Sequence, residues 1–218
     1  MNGVISDTIK YVGVDDMDLD LFESQYIIPN GMSYNSYLIL VEKVAIMDSV
    51  DARKSDEWLD KLSQELNGRE PSYLVVQHME PDHAGSLVAV ITKYPQIKLV
   101  ASARAIQMMP QFFEGVDFST ITIAVKEGDT LCLGAHTLQF FMAPMVHWPE
   151  VMVTYDQYDK VLFSADAFGK FGAFACDEEW ACEARRNYFN ICGKYGVQVQ
   201  ALLKKLSALD LNCFCPLH

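Results

Sequence analysis

Nine short hydrophobic runs along the chain have the length and residue content of buried β-strands. They are rich in β-branched and aromatic residues, and Gly, Asn, Asp or Pro bounds them, as is typical of strands that end in turns. The predicted strands are residues 37–41, 44–48, 73–77, 98–101, 120–125, 137–143, 151–155, 160–164 and 211–215. Turns of hairpin length, residues 127–129 and 156–159, separate strands in the second half of the chain.

Helical patterns lie between several of these strands. They cover residues 56–66, 84–94, 102–109, 179–192 and 197–209. Ser55 is expected to cap the first helix, and Pro95 and Pro110 to end the second and the third. Residues 120–164 form a nearly unbroken series of strands, whereas strands and helices alternate before them. This order favours an α/β sandwich, with helices outside two sheets, over a simple doubly wound sheet.

Composition and net charge indicate the number of domains and exclude several classes of protein. Half of the 218 residues are hydrophobic, enough for a packed core, and no repeat or linker-like tract divides them, so we predict one domain over residues 1–218. The net charge of −12 argues against a nucleic-acid partner, since a phosphate backbone would be repelled. We find no apolar stretch long enough to span a bilayer and no basic region typical of a secretory signal. The sequence therefore predicts a cytoplasmic protein.

The six cysteines contain no C-x-x-C pair. In a cytoplasmic protein we expect them to be reduced and mostly buried. Cys213 and Cys215 lie in a predicted buried strand, and we expect their thiols not to meet. A structural zinc site built from cysteines is not predicted.

Four of the five histidines and three carboxylates follow the ends of predicted strands. Rigid strands can direct such loop residues to one point, as a metal site requires. The predicted ligands are His78, Glu80, Asp82, His83, His147, Asp166 and His218. The four ligands between residues 78 and 83 can divide between two adjacent ions, and Asp166 suits a bridging position. His136 lies outside this pattern and is expected to be an ordinary, satisfied histidine.

The donor types restrict the metal. Four imidazoles, three carboxylates and no thiolate suit iron, manganese or zinc. The three carboxylates and a bridging hydroxide would neutralise two divalent ions and leave only a modest positive charge on two ferric ions. A site so rich in carboxylates tolerates oxidation, which favours redox-active iron without excluding zinc.

The ligand pattern resembles that of flavodiiron proteins, whose diiron domain has the metallo-β-lactamase fold. Further segments are similar to that family: residues 30–38 (NGMSYNSYL), 147–152 (HWPEVM), 164–169 (SADAFG), 183–188 (EARRNY) and 215–218 (CPLH). The resemblance covers the chain from about Phe22 and implies an αββα sandwich, in which helices cover the outer faces of two mixed sheets. It also implies that His78, Glu80 and His147 hold one iron, that Asp82, His83 and His218 hold the other, and that Asp166 bridges them. Zinc hydrolases of this fold usually have histidine where this chain has Glu80.

The resemblance further implies a reaction and a set of partners. The reaction is reduction of dioxygen to water, of nitric oxide to nitrous oxide, or both. Electrons would come from FMN on a flavodoxin-like domain, which the opposite subunit of a head-to-tail dimer presents, and from a redox donor such as rubredoxin or a flavoprotein. The sequence ends at His218, where relatives continue into that domain, so we expect a fragment of a longer polypeptide. Against the resembled family, we also expect the stretch from Asp166 to His218 to be shorter than in many relatives, with the loss around residues 172–179.

Two alternatives remain open. The first is a hydrolase of the same fold in which hydroxide bridges two zinc ions, and Glu80 argues against it. The second is a non-catalytic, metal-stabilised module for assembly or sensing. Tyr26, Trp148 and Tyr155 are candidates for shaping the pocket, although aromatic core packing is the simpler interpretation for each.

Overall fold

The computed structural model describes residues 5–174, 176 and 179–218. The strands are β1 (Ile9–Tyr11), β2 (Val14–Asp16), β3 (Leu21–Phe22), β4 (Tyr26–Ile27), β5 (Met32–Tyr34), β6 (Tyr37–Ile39), β7 (Val44–Met47), β8 (Pro71–Val76), β9 (Lys98–Ser102), β10 (Thr122–Val125), β11 (Thr130–Cys132), β12 (Thr137–Met142), β13 (Met152–Asp156), β14 (Val161–Phe163) and β15 (Cys213–Cys215). The α-helices are α1 (Ser55–Leu66), α2 (Pro81–Ala84), α3 (Leu87–Lys93), α4 (Ala103–Phe112), α5 (Trp180–Ile191) and α6 (Gly196–Leu206). Ala52–Lys54 and Gly193–Tyr195 form single 3-10 turns.

Two mixed sheets form the centre of the fold. The first has the order β1-β6-β7-β8-β9-β10, and its strands from β7 to β10 run parallel. The second has the order β11-β12-β13-β14-β15, in which only β14 and β15 are parallel. Because parallel neighbours end at the same edge of a sheet, β7 and β8 deliver the residues that follow them to one edge of the first sheet, and β14 and β15 deliver theirs to one edge of the second.

Side-chain alternation along the strands separates the layers of the core. Met47 and Val75 of the first sheet belong to one cluster with Phe140 and Phe163 of the second. The opposite faces of the strands pack against the helices in another cluster, which includes Trp58 of α1. The predicted αββα sandwich is therefore confirmed, with apolar residues on both faces of each sheet, as parallel and sandwiched strands require.

All nine predicted strands are present, with ends that differ by a few residues. The short strands β1 to β5 and β11 were not predicted. The turn at residues 127–129 joins strands of different sheets rather than a hairpin, whereas the turn at residues 156–159 joins the paired strands β13 and β14. Part of the stretch that we predicted to be shortened, residues 175, 177 and 178, lies outside the described residues.

The predicted helix boundaries need three corrections. Residues 84–94 do not form one helix, because α2 ends at Ala84 before α3 begins. Helix α4 continues through Pro110 to Phe112, since a proline in the last turn removes only one main-chain hydrogen bond there. Ser55 does not cap α1. It is the first helical residue, and its hydroxyl lies 2.6 Å from that of Ser86.

The cysteine predictions are partly wrong. All six cysteines are free, as expected, but only Cys192 and Cys215 are buried. Cys213 and Cys215 both lie on β15, and no disulfide joins them. Residues two apart on one strand project from the same face, which the prediction overlooked. No helix in the described part of the chain is long and apolar enough to cross a membrane.

Candidate metal centre

The seven predicted ligands come together where strands of the two sheets end. His78 and Glu80 follow β8, His147 follows β12, and Asp166 follows β14. Asp82 and His83 lie on α2, and His218 follows β15. Their donor atoms form two adjacent groups, and within each group the donors lie within 4.8 Å of one another. The first group is His78, Glu80, His147 and Asp166, and the second is Asp82, His83 and His218.

Buried polar contacts fix the loop between β8 and α2. Asp48, which follows β7 with a positive φ of 55°, accepts hydrogen bonds from Gln77 N at 2.7 Å and Gln77 Nε2 at 2.8 Å. Glu80 precedes α2, and Pro81 begins it, a position where the missing proline N–H costs nothing. Ser49 N and Oγ both donate to the carbonyl oxygen of His83, at 3.0 and 2.6 Å. The four ligand-type residues of this loop are therefore held by strand ends on both sides.

The first group has the spacing of donors around one ion. His147 Nε2 lies 3.0 Å from Glu80 Oε2 and 3.0 Å from Asp166 Oδ2. His78 Nε2 lies 3.2 Å from Glu80 Oε2 and 3.3 Å from Asp166 Oδ2. Donors bound at about 2.1 Å to a common ion lie roughly 3 Å apart, so these separations suit coordination.

The second group repeats this spacing. His83 Nε2 and His218 Nε2 lie 3.0 Å apart, and Asp82 Oδ2 lies 3.4 and 3.3 Å from them. Asp166 connects the groups, because its Oδ2 faces the first while its Oδ1 lies 3.1 Å from His83 Nε2 and 3.7 Å from His218 Nε2. The two oxygens of one buried carboxylate thus point toward different groups, which is the arrangement of a bridging ligand.

Two partners behind the imidazoles were not predicted. Glu150 Oε1 lies 2.7 Å from His78 Nδ1 and accepts from Met79 N at 2.9 Å. The carbonyl oxygen of Ser33 accepts from His218 Nδ1 at 2.8 Å. A hydrogen bond at Nδ1 fixes the tautomer that leaves Nε2 free to bind a metal. The position of Glu150, three residues after His147, was the available sequence signal.

The loop that carries Asp166 approaches the chain end closely. A Cβ added to Gly169 would lie 2.7 Å from the carbonyl oxygen of His218, so glycine is required at this contact. Leu217 N donates to Ala165 O at 2.9 Å, and Asn35 N donates to Leu217 O at 2.8 Å. These main-chain bonds position His218 beside Asp166.

Charge dominates the metal-free site. Burial lowers the pKa of His83, but the carboxylates of Asp82 and Asp166 raise it to about 9. Burial also lowers the pKa of His147, but the carboxylates of Asp166 and Glu80 raise it to about 9. For His78, Asp166 leads the carboxylates that outweigh burial and raise its pKa well above the usual value. Burial likewise raises the pKa of Asp166, yet the surrounding imidazoles hold it well below its ordinary range. In the absence of metal, protons on the imidazoles therefore balance the carboxylates.

Of the three pocket candidates, only Trp148 contacts the predicted ligands. Its indole meets the His78 ring edge-on, with centroids 5.2 Å apart. Tyr26 packs against Phe171, and the Tyr155 hydroxyl donates to the Asp210 carbonyl at 2.8 Å. Phe22, which was not predicted, packs edge-on against His218 with centroids 5.1 Å apart.

An open cavity of about 230 Å³ reaches the site between the β3–β4 ribbon and α2. Phe22, Glu23, Glu80 and Asp82 are among the residues that line it. His136 lies outside the site, as predicted, but it is fully buried. Its Nδ1 lies 3.0 Å from Asp156 Oδ2 and its Nε2 lies 3.2 Å from the Thr8 hydroxyl.

Comparison with known proteins gives a consistent result. A family model described as ODP family beta lactamase matches residues 32–218. The chain is 33% identical over 219 residues to the anaerobic nitric oxide reductase flavorubredoxin of Vibrio vulnificus, covering 95% of this chain and 43% of that protein. It is 40% identical over 155 residues to diflavin flavoprotein A 1 of a Synechocystis species, covering 71% of this chain and 26% of that protein.

A solved structure is similar over nearly the whole chain. The rubredoxin oxygen:oxidoreductase from Desulfovibrio gigas aligns with a TM-score of 0.90 and 32% identity, covering 98% of this chain and 55% of that one. The chain thus spans about half or less of the length of each of these relatives.

Proposed function

The chain belongs to the ODP family of beta-lactamase-like domains, and we propose that it is the diiron domain of a flavodiiron-type reductase. The proposed reaction is reduction of nitric oxide to nitrous oxide, of dioxygen to water, or both. The named activities of the flavorubredoxin of Vibrio vulnificus and the rubredoxin oxygen:oxidoreductase of Desulfovibrio gigas support this proposal. Because the chain covers only part of each relative, the activity of a whole protein is inferred from one of its domains.

The position of Glu80 is the observation that carries the proposal. Its Oε2 lies 3.2 Å from His78 Nε2 and 3.0 Å from His147 Nε2. A carboxylate here adds negative charge to the first group and favours an ion that cycles between the divalent and trivalent states. A histidine at the same point would leave this group with Asp166 as its only carboxylate, a composition better suited to zinc.

The residues present fit two metal ions. Both carboxylate oxygens of Asp82 and Oδ1 of Asp166 are buried and make no hydrogen bond within the described part of the chain. A buried carboxylate oxygen without a hydrogen bond destabilises the fold unless a nearby cation compensates its charge. The facing Nε2 atoms of His83 and His218, 3.0 Å apart, also suit a shared cation. Both observations support coordination rather than a purely hydrogen-bonded core.

We assign His78, Glu80 and His147 to one iron, Asp82, His83 and His218 to the other, and Asp166 to both. Two ferrous ions so held would supply electrons and adjacent binding positions for NO or O2. The chain itself orients the ligands. Glu150 and the Ser33 carbonyl fix two imidazoles through Nδ1, while the Trp148 and Phe22 rings cover His78 and His218.

Electron counting defines what this domain can do by itself. Two ferrous ions provide two electrons, which is sufficient for coupling two NO molecules to N2O, whereas reduction of O2 to two waters needs four. Sustained turnover therefore requires an outside donor. We propose FMN on a flavodoxin-like domain, presented by the opposite subunit of a head-to-tail homodimer, with rubredoxin or a flavoprotein reducing it. We further propose that the protein acts in the cytoplasm.

A single-turnover experiment tests the proposal. The chain is loaded anaerobically with ferrous iron, its content of two irons is verified, and it is mixed with NO in a stopped-flow instrument. We expect about one N2O per diferrous site and little steady-state activity without a donor. Glu80→Ala should abolish this turnover, whereas Glu57→Gln, on the exposed face of α1, should leave it unchanged.

The alternatives predict different outcomes. No N2O from a verified diferrous sample would contradict the proposed reaction. Cleavage of a thioester or lactam by the zinc-loaded chain would support the hydrolase. Equal behaviour of the Glu80→Ala variant and the unmodified chain in every redox assay would support a non-catalytic module.

A further inference from the structure

A third group of ligand-type side chains lies outside the proposed metal centre, where the beginning of the chain meets the second sheet. His136 precedes β12, Asp156 ends β13, and Asp159 lies in the turn that follows. One donor atom from each of these three residues lies within 4.8 Å of the others. Ser6 and Thr8 precede β1, and both hydroxyls donate to Asp159 Oδ2. The proposed reaction uses none of these residues.

Three donor atoms of this group have the spacing of ligands around one ion. His136 Nε2 lies 3.2 Å from Thr8 Oγ1 and 3.9 Å from Asp159 Oδ2, and the two oxygens lie 3.1 Å apart. A point equidistant from the three atoms of this triangle lies about 2.0 Å from each of them. Zinc binds imidazole nitrogen and carboxylate oxygen at about 2.0–2.2 Å. The dimensions of the group therefore match a zinc ion.

A buried carboxylate supports the His136 imidazole from behind. Asp156 is fully buried, and its Oδ2 lies 3.0 Å from His136 Nδ1. The proposed metal centre has the same arrangement, in which Glu150 Oε1 lies 2.7 Å from His78 Nδ1. A carboxylate at Nδ1 orients the ring and makes Nε2 a stronger ligand for a metal. By this comparison, His136 Nε2 is oriented to bind a cation.

The hydrogen bonds around His136 leave one neighbour unsatisfied when the ring is neutral. The Thr8 hydroxyl donates its proton to Asp159 Oδ2, so toward His136 Nε2 it can only accept. An ionised Asp156 likewise can only accept from Nδ1. A neutral imidazole has one N–H and can donate to only one of these two oxygens. A metal ion at Nε2 would satisfy Thr8 Oγ1, while Nδ1–H donates to Asp156.

The negative charges of the group also favour a divalent cation. Asp156 Oδ1 is buried and makes no hydrogen bond within the described part of the chain. Among the described residues, neither Asp156 nor Asp159 forms an ion pair with a lysine or an arginine, and His136 is the ion-pair partner of both. A divalent cation would compensate both carboxylates, whose charges are otherwise costly to bury.

We propose that His136 Nε2, Asp159 Oδ2 and Thr8 Oγ1 bind a zinc ion, with water in the remaining position, and that Asp156 positions His136. One imidazole, one carboxylate, a hydroxyl and water are ligands that zinc accepts. The Asp159 side chain is 20% exposed, so the ion can enter from solvent. The ion ties the segment before β1 to the turn between β13 and β14, which makes it a structural ion that is independent of the proposed iron centre.

Zinc content per chain tests the proposal without reference to turnover. The whole chain is loaded with zinc, equilibrated at a fixed free zinc concentration and analysed by elemental mass spectrometry. Asp159→Asn preserves the size of the side chain but removes its charge, so this variant should bind one zinc fewer per chain. Asp7→Asn, at the exposed residue between Ser6 and Thr8, is the matched control and should bind as much zinc as the unmodified chain. Anomalous diffraction at the zinc edge should locate the ion beside His136.

Further variants separate the ligands from the positioning residue. Thr8→Val removes a ligand without altering the turn and should also lose this zinc, whereas Thr8→Ser should retain it. Asp156→Asn should weaken zinc binding at this site about 10- to 100-fold in competition with a chelator. Equal zinc content in Asp159→Asn, Thr8→Val and the unmodified chain, or an anomalous peak that is absent beside His136, would overturn the proposal. Because the readout is a difference of one ion between two chains, it stands whether or not the chain reduces NO.

Discussion

Replacing Glu150 by glutamine removes a negative charge from behind His78 while preserving the size of the side chain. The Glu150 carboxylate is fully buried and lies 2.7 Å from His78 Nδ1 and 2.9 Å from Met79 N. Hydrogen bonds to a charged group contribute about 1.5–3 kcal/mol, against about 0.5–1.5 kcal/mol for neutral pairs. The loss at His78 is therefore about 1–2 kcal/mol, which corresponds to roughly 5- to 30-fold weaker metal binding.

The measurement is a competition between the metal-free protein and a chromophoric chelator for ferrous or zinc ions. The binding constant reports the effect of the substitution on metal affinity alone. A change in folding stability that is the same in the metal-free and the metal-loaded protein does not alter this constant. Thermal unfolding of the metal-free variant then reports that stability separately. Glu57→Gln is the matched control, since Glu57 forms an exposed ion pair with Lys61 at 3.0 Å, and such pairs contribute little. An affinity within twofold of the unmodified chain for Glu150→Gln would refute the reasoning.

Three further predictions concern proton release on metal loading, the pH dependence of folding stability and core packing. Because the pKa values of His83 and His147 are raised to about 9 without metal, loading at pH 7 should release protons, measured by titration calorimetry in buffers of different ionisation enthalpy. The same shifts stabilise the metal-free fold fully below pH 6.5, and this contribution should be lost as the pH rises through about 9, as denaturant midpoints would show. Leu62→Ala, at a fully buried position of α1, should lower the free energy of unfolding by about 2–5 kcal/mol in urea titrations.

The buried strands and the metal ligands could be predicted from the sequence for physical reasons. Strands between two layers need continuous apolar runs, and such runs are rare elsewhere in the chain. Ligand-type side chains at the ends of those runs then indicated a shared site. Strand β2 was missed because it has only three residues, and two of them are Asp15 and Asp16. Its pairing with β5 depends on the tertiary fold, which local composition does not record.

Other features depended on which elements become neighbours in space. The turn at residues 127–129 has the composition of a hairpin, but turn residues do not determine whether the next strand joins the same sheet. Glu150 follows a proline in a loop and looks like a turn residue in the sequence. Its role became apparent only when the fold placed its carboxylate behind His78, from a segment 72 residues away along the chain.

The arrangement of charge indicates that metal binding and folding are coupled in this protein. Three carboxylates and four imidazoles occupy a largely buried space, and several carboxylate oxygens make no hydrogen bond in the described part of the chain. Without metal, protons on His78, His83 and His147 offset these charges, whereas bound metal requires the same nitrogens to be deprotonated. The same imidazole nitrogens therefore bind protons in the metal-free protein and metal ions in the loaded protein. Because Asp166 faces both groups, loss of either ion would leave a buried carboxylate oxygen uncompensated, so the two ions should be bound and released together rather than independently.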